Sequence, residues 1–87
     1  MAAEVKMYST RFCPYCIRAR ALLDSKNAPY VDIGVDGEPA VRREMSALSG
    51  RSTVPQIWIG EKHVGGYDDL VGLERRGQLD ELLQLTQ

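Results

Sequence analysis

No run of apolar residues in the chain approaches the roughly 20 that a membrane span requires, so no membrane partner is expected. No charge dominates either: 11 basic residues stand against 12 acidic ones, for a net charge of −1. Without a basic surplus there is no electrostatic footprint for nucleic acid. Histidine occurs once and cysteine only twice. Two cysteines are too few for the disulfide framework of a small secreted domain. One histidine beside one cysteine pair falls short of the four ligands of a structural zinc site, so no metal is expected. Met1 to Lys6 lacks the apolar stretch of a secretory signal, and a reducing, cytoplasmic location is expected. Repeats, low-complexity tracts and linkers are absent. The 87 residues are read as a single domain, 1–87.

What the chain does have is Cys13-Pro14-Tyr15-Cys16, placed between a short apolar strand and a helix. Proline suits the first helical position, where its missing N–H would have had no partner. Cys13 then falls at the N-cap, where its sulfur is expected to accept hydrogen bonds from the amides of Tyr15 and Cys16. The helix dipole adds partial positive charge at the same point. Both effects favour thiolate, so the Cys13 pKa is expected well below the free value of roughly 8.5. Cys16, one turn on, is placed to close a disulfide with it. The competing readings are two buried cysteines packed as small apolar residues, and a metal site. The cap position and Pro14 favour a partly exposed redox pair.

Around this motif the elements alternate. Val5 to Tyr8 reads as a strand, Ser9 to Phe12 as a loop, and Pro14 to about Asn27 as a helix with Ile17, Ala21 and Leu22 on its apolar side. Tyr30 to Val35 is a second strand. A second helix runs from near Glu38-Pro39 to Gly50, with Val41, Met45 and Leu48 at i, i+4, i+7 and Glu38 and Arg42 spaced for a surface pair. Gln56 to Ile59 is a third strand, Gly60-Glu61-Lys62 a tight turn, and His63 to Gly65 a fourth strand. A helix opens after Gly65-Gly66 and breaks at Gly77, and a last one carries Leu79, Leu82 and Leu83. The order β-α-β-α-β-β-α-α predicts an α/β sandwich, with a mixed four-stranded sheet and helices on both faces. The first β-α-β unit is expected to be parallel and right-handed, and the last two strands antiparallel.

Two further segments carry chemistry. In Thr53-Val54-Pro55, the following proline holds Val54 extended. A trans bond would merely punctuate the strand; a cis bond would turn the Val54 N–H and C=O outward for strand-like pairing with an extended peptide. Gly65-Gly66-Tyr67-Asp68-Asp69-Leu70 reads either as a helix start capped by Asp68, or as an open helix N-terminus for a ligand carboxylate, with Asp68 or Asp69 meeting a ligand ammonium. Tyr15 has little structural reason to stand at an exposed helix start and reads as a substrate contact. His63 reads as surface, Trp58 as core or sheet surface, and the arginine pairs as solvated faces, with Arg42 within reach of a ligand.

The three segments together resemble one family, the glutaredoxins. Cys13-Pro14-Tyr15-Cys16 is similar to the motif of their dithiol class, Thr53-Val54-Pro55-Gln56-Ile57 to their cis-proline segment, and Gly65-Gly66-Tyr67-Asp68-Asp69-Leu70 to their glutathione-binding helix start. The resemblance runs from about Val5 to Leu83 and looks nearest to the small bacterial glutaredoxin-3 type. It implies a thioredoxin fold with Pro55 in cis opposite the cysteines. It implies glutathione as co-substrate, Cys13 as nucleophile and Cys16 as resolving thiol. Tyr15, Thr53, Val54, Pro55, Gly66, Tyr67, Asp68 and Asp69 would line the glutathione groove. Thr10 stands where many members carry lysine, and Arg11 beside it is the expected source of positive charge. Tyr67 stands where many carry cysteine or another small residue.

The implied activity is glutathione-dependent reduction of protein disulfides and glutathione mixed disulfides. The implied partners are glutathione, disulfide-containing or glutathionylated proteins and, indirectly, glutathione reductase with NADPH; a monomer is expected. Two readings compete. One is a thioredoxin-like reductase fed by a flavoprotein, although Phe12 before the pair and Pro-Tyr inside it differ from the usual thioredoxin residues. The other is a [2Fe–2S] carrier using Cys13 and glutathione in a dimer, against which Pro14 stiffens the site and Cys16 competes for Cys13.

Overall fold

The computed structural model describes residues 4–83. Of the single domain expected over 1–87, residues 1–3 and 84–87 therefore lie outside the described residues. The elements follow the expected order: β1 (Val5–Ser9), α1 (Pro14–Ser25), β2 (Tyr30–Gly34), α2 (Pro39–Ser49), β3 (Gln56–Ile59), β4 (Lys62–Gly65), α3 (Tyr67–Arg75) and α4 (Leu79–Leu83). The strands form one sheet in the order β2-β1-β3-β4. β1 pairs parallel with β2 and antiparallel with β3, and β3 pairs antiparallel with β4.

Strand alternation sends successive residues to opposite faces, and the sheet carries a different core on each. Val5, Met7, Ile57 and Ile59 join Ala19, Leu23, Leu70, Leu73, Leu79 and Leu83 on one side. Tyr8 and Val35 join Met45 on the other, with Ile33, Val41, Val54 and Trp58 packed against them. So α1, α3 and α4 cover one face and α2 the other. Each fully buried leucine of the larger core stabilises the fold by about 2 kcal/mol.

The helix ends are chemically marked. Asn27, at φ 53, takes the left-handed conformation that asparagine tolerates, and the chain leaves α1 there. Gly50, at φ 74, closes α2, its N–H donating to the Ser46 carbonyl at 2.8 Å.

Three side-chain expectations change. The buried face of α1 is Cys16, Ala19 and Leu23, whereas Ile17 is half exposed and Ala21 exposed. Cys16 sets the helix phase, and the next residue lies about 100° further round. In α2, Leu48 is exposed, lying over a shallow depression with Tyr8 and Trp58. Arg42 does not pair with Glu38; its guanidinium donates to the Ser52 carbonyl at 3.1 Å, tying α2 to the loop before β3.

Candidate active site

β1 delivers the chain to Cys13, whose extended backbone (φ −71, ψ 123) forms the N-cap of α1, with proline next. The two thiols then meet different surroundings. Cys13 is partly exposed, while Cys16 is sealed under the helix at 0% exposure. The Thr10 amide donates to the Cys16 sulfur at 3.5 Å, and the Cys13 sulfur lies 4.0 Å from the Val54 carbonyl oxygen.

Their acidities separate accordingly. At Cys13 burial works against the thiolate, but the amides of Cys16 and Tyr15, the Cys16 thiol and the Thr10 side chain outweigh it, so its pKa is lowered. The Tyr15 and Cys16 amides, the donors expected from sequence, are thus the groups that favour the thiolate, although the cap falls short of full hydrogen-bond geometry. At Cys16 burial dominates and the neighbouring Cys13 charge adds to it; the Thr10 amide opposes both, and the pKa is raised. The thiol that solvent reaches is the one that ionises first. Alkylation of the reduced protein by iodoacetamide, followed against pH, is expected to modify Cys13 with a midpoint below roughly 8.5 and to leave Cys16 unmodified. A midpoint at or above that value would contradict the assignment.

Beside Cys13 lies a groove of about 290 Å³. One wall is the segment before β3, where the Val54–Pro55 bond is cis and Thr53, Val54 and Pro55 face the groove. The other is the start of α3, with Gly66, Tyr67, Asp68 and Asp69. Tyr15 closes one end, its ring 6.3 Å from that of Tyr67. The structure thus brings together all eight residues expected from sequence to line the groove. Arg11, the expected source of positive charge, does not line it. Its N–H is held by the Asp36 carboxylate at 3.0 Å, its guanidinium lies 5.9 Å from the Phe12 ring, and it borders a separate cavity with Arg20 and Asp32.

The glycine pair has a specific cause. Gly65 sits at φ +117, and a Cβ there would run into the Asp69 carboxylate, 2.8 Å from its Cγ. Asp69, not Asp68, caps α3, accepting from the Gly66 N–H at 2.9 Å and from Arg51 at 3.1 Å. That corrects the expected cap. The Gly66 amide, with the help of Arg51, holds the Asp69 carboxyl below the usual carboxylate range despite burial. The Gly66 N–H is therefore engaged, and the donors left for a ligand are the next amides of the first turn, which have no helical partner.

Sequence reasoning missed Arg51 as part of this site and Gln56 as a buried partner of Thr53 behind it. Arg51 lines the groove, and only its place two residues before Thr53-Val54-Pro55 hinted at that. Gln56 is a fully buried polar side chain in a strand otherwise built of apolar residues; the mismatch was the signal. His63, expected at the surface, is partly buried and packs on Trp58 at 4.7 Å between ring centres.

Comparison with known proteins places this arrangement. A family model described as Glutaredoxin matches residues 5–64. The chain belongs to the glutaredoxin family. It is similar to a glutaredoxin of Pseudomonas aeruginosa, 56% identical over 79 residues, covering 91% of this chain and 94% of that one. It is also similar to glutaredoxin 3 of Escherichia coli, 51% identical over 82 residues, covering 94% and 99%. A crystal structure of a buckwheat glutaredoxin–glutathione complex superposes with a TM-score of 0.86 at 34% identity, over 92% of this chain and 76% of that one. The described chain accordingly has the thioredoxin-like fold of glutaredoxins, with its mixed four-stranded sheet. Family and fold together support a thiol–disulfide oxidoreductase.

Proposed function

We propose that the protein is a glutathione-dependent oxidoreductase that reduces glutathione mixed disulfides and protein disulfides through Cys13 and Cys16. The observation that carries this reading is the split between the thiols: the partly exposed one, at the groove, is the more acidic, and the buried one is the less acidic. A nucleophile needs the first environment and a resolving thiol tolerates the second.

In the monothiol route the Cys13 thiolate attacks the glutathionyl sulfur of a mixed disulfide. The target leaves as its thiolate, and Cys13 carries the glutathionyl group. A second glutathione attacks that group and departs as glutathione disulfide, returning the Cys13 thiolate. In the dithiol route Cys13 attacks a protein disulfide, Cys16 displaces the reduced protein by closing the Cys13–Cys16 bond, and two glutathiones reopen it. A low-pKa thiol is also a good leaving group, so the same dipoles speed both halves.

Glutathione matches the groove in chemistry. Its carboxylates suit the amides at the start of α3 and the Arg51 guanidinium, and its ammonium suits Asp68 or Asp69. Its extended backbone suits Val54, and Tyr15 and Tyr67 flank it. The buckwheat relative was solved as a complex with glutathione, which supports the choice of ligand. In this reading the protein works in the reducing cytoplasm, and glutathione reductase and NADPH recycle the product. The test is deglutathionylation of a mixed disulfide, coupled to glutathione reductase and NADPH. Turnover that saturates with glutathione is expected; no turnover with glutathione would overturn the proposal.

A further inference from the structure

The only histidine of the chain has no part in the exchange chemistry, and Gln56 is a polar side chain at 0% exposure. A buried amide is costly unless its hydrogen bonds are made, so the partners of Gln56 are informative. Its Nε2 lies 3.0 Å from the Thr53 carbonyl oxygen and 3.2 Å from Thr53 Oγ1. Its Oε1 lies 2.8 Å from His63 Nε2. A carbonyl only accepts, so the amide NH₂ must face Thr53 and the amide oxygen must face His63. An amide oxygen also only accepts, so His63 Nε2 must carry the proton. The orientation of one side chain therefore fixes the tautomer of the other.

The chain of contacts continues in both directions. Beyond Gln56, Thr53 lines the groove and precedes the Val54–Pro55 cis bond opposite Cys13. Behind His63, the imidazole packs on Trp58, whose ring meets Tyr8 edge-on at 5.5 Å. His63 stands on β4 across from Trp58 on β3. The groove wall is thus braced from the sheet, not from the loop that carries it. The charged groups acting on His63 are Arg51 and Asp69. Protonation would add its proton at Nδ1 and leave the Nε2–H donor in place, so the brace survives acid.

We propose that His63 is a positioning residue of the groove: donating through Nε2 to Gln56, it fixes the carbonyl and hydroxyl of Thr53 and so sets affinity for glutathione without touching either thiol. This rests on the glutathione reading above. The test measures KM for glutathione and kcat separately in the coupled assay. His63→Phe keeps a ring on Trp58 but lacks the donor, and is expected to raise KM about fivefold, the worth of one net hydrogen bond, with kcat within about twofold. His63→Gln, which restores an N–H donor, is expected to recover most of that loss. The ligand-free wild type supplies an independent measurement, since nitrogen NMR shifts of the imidazole report its tautomer. A neutral ring protonated at Nδ1 and not at Nε2 overturns the proposal, as does an unchanged KM in His63→Phe or a failure of His63→Gln to recover it. Wild-type protein inactive with glutathione would instead sink the proposed function, while the tautomer would still decide whether the brace exists.

Discussion

Cys13→Ser is expected to abolish deglutathionylation, by roughly three orders of magnitude or more, because a serine hydroxyl at that position is neither ionised nor a comparable leaving group. Cys16→Ser is expected to behave oppositely. It should keep deglutathionylation within a few-fold of wild type, since that route never needs the second thiol. It should lose most reduction of protein disulfides, which needs Cys16 to release the trapped mixed disulfide. The buried thiol also helps Cys13 ionise, so a modest upward move of the alkylation midpoint should accompany Cys16→Ser. The same coupled assay, run with a glutathionylated peptide and with a protein disulfide, checks both variants. Full activity in Cys13→Ser, or none in Cys16→Ser with the glutathionylated peptide, would reverse the roles.

Gly65→Ala is expected to be the most damaging change of a single small group. The new methyl must enter a backbone conformation that favours glycine, φ +117, and it meets the carboxylate that caps α3. Backbone strain of this kind costs on the order of 1–3 kcal/mol, and a displaced cap about 1 kcal/mol more. Together they predict a loss of roughly 2–4 kcal/mol, or a fall in Tm of roughly 10–25 °C for a domain of this size. Gly77→Ala is the matched control: φ is +70, but nothing lies within 4 Å of its Cβ, so only strain of about 1 kcal/mol applies. Thermal unfolding of the two variants side by side decides the matter. If Gly65→Ala loses no more than Gly77→Ala, the Asp69 cap does not matter to stability. The KM for glutathione is expected to rise only in the Gly65 variant, since Asp69 and the first turn of α3 form one groove wall.

Most of the fold was legible in sequence because its signals are local. The short apolar runs in Val5–Tyr8 and Ile57–Ile59, Pro14 and Pro39 at helix starts, and Gly50 at a helix end each state their element in a few residues. The groove was legible for the same reason, as each wall is a contiguous segment. What escaped was set by contacts between segments. The apolar residues of α1 fit two faces, and burial of Cys16 chose the one that turns Ile17 outward. Asp68 and Asp69 are equivalent as text, and only the turn at Gly65 puts Asp69 on the Gly66 N–H. Arg11 is adjacent to the motif in sequence, yet Asp36, far along the chain, holds its backbone away from the groove. Arg51 and Gln56 gained their roles from partners on α3 and β4.

The two halves of the site, Cys13 and Val54, are separated by 41 positions along the chain. They meet because one follows β1, the other precedes β3, and those strands are hydrogen-bonded neighbours. The gap between thiol and groove wall is therefore measured by the ladder, not by the length of what lies between. Insertions after Asp36, at the exposed Gly37–Glu38 positions, would change the size of the excursion through β2 and α2 while leaving the Asp36 contact to the Arg11 backbone in place. The chemistry has a fixed ruler, and the intervening chain is free to drift in length.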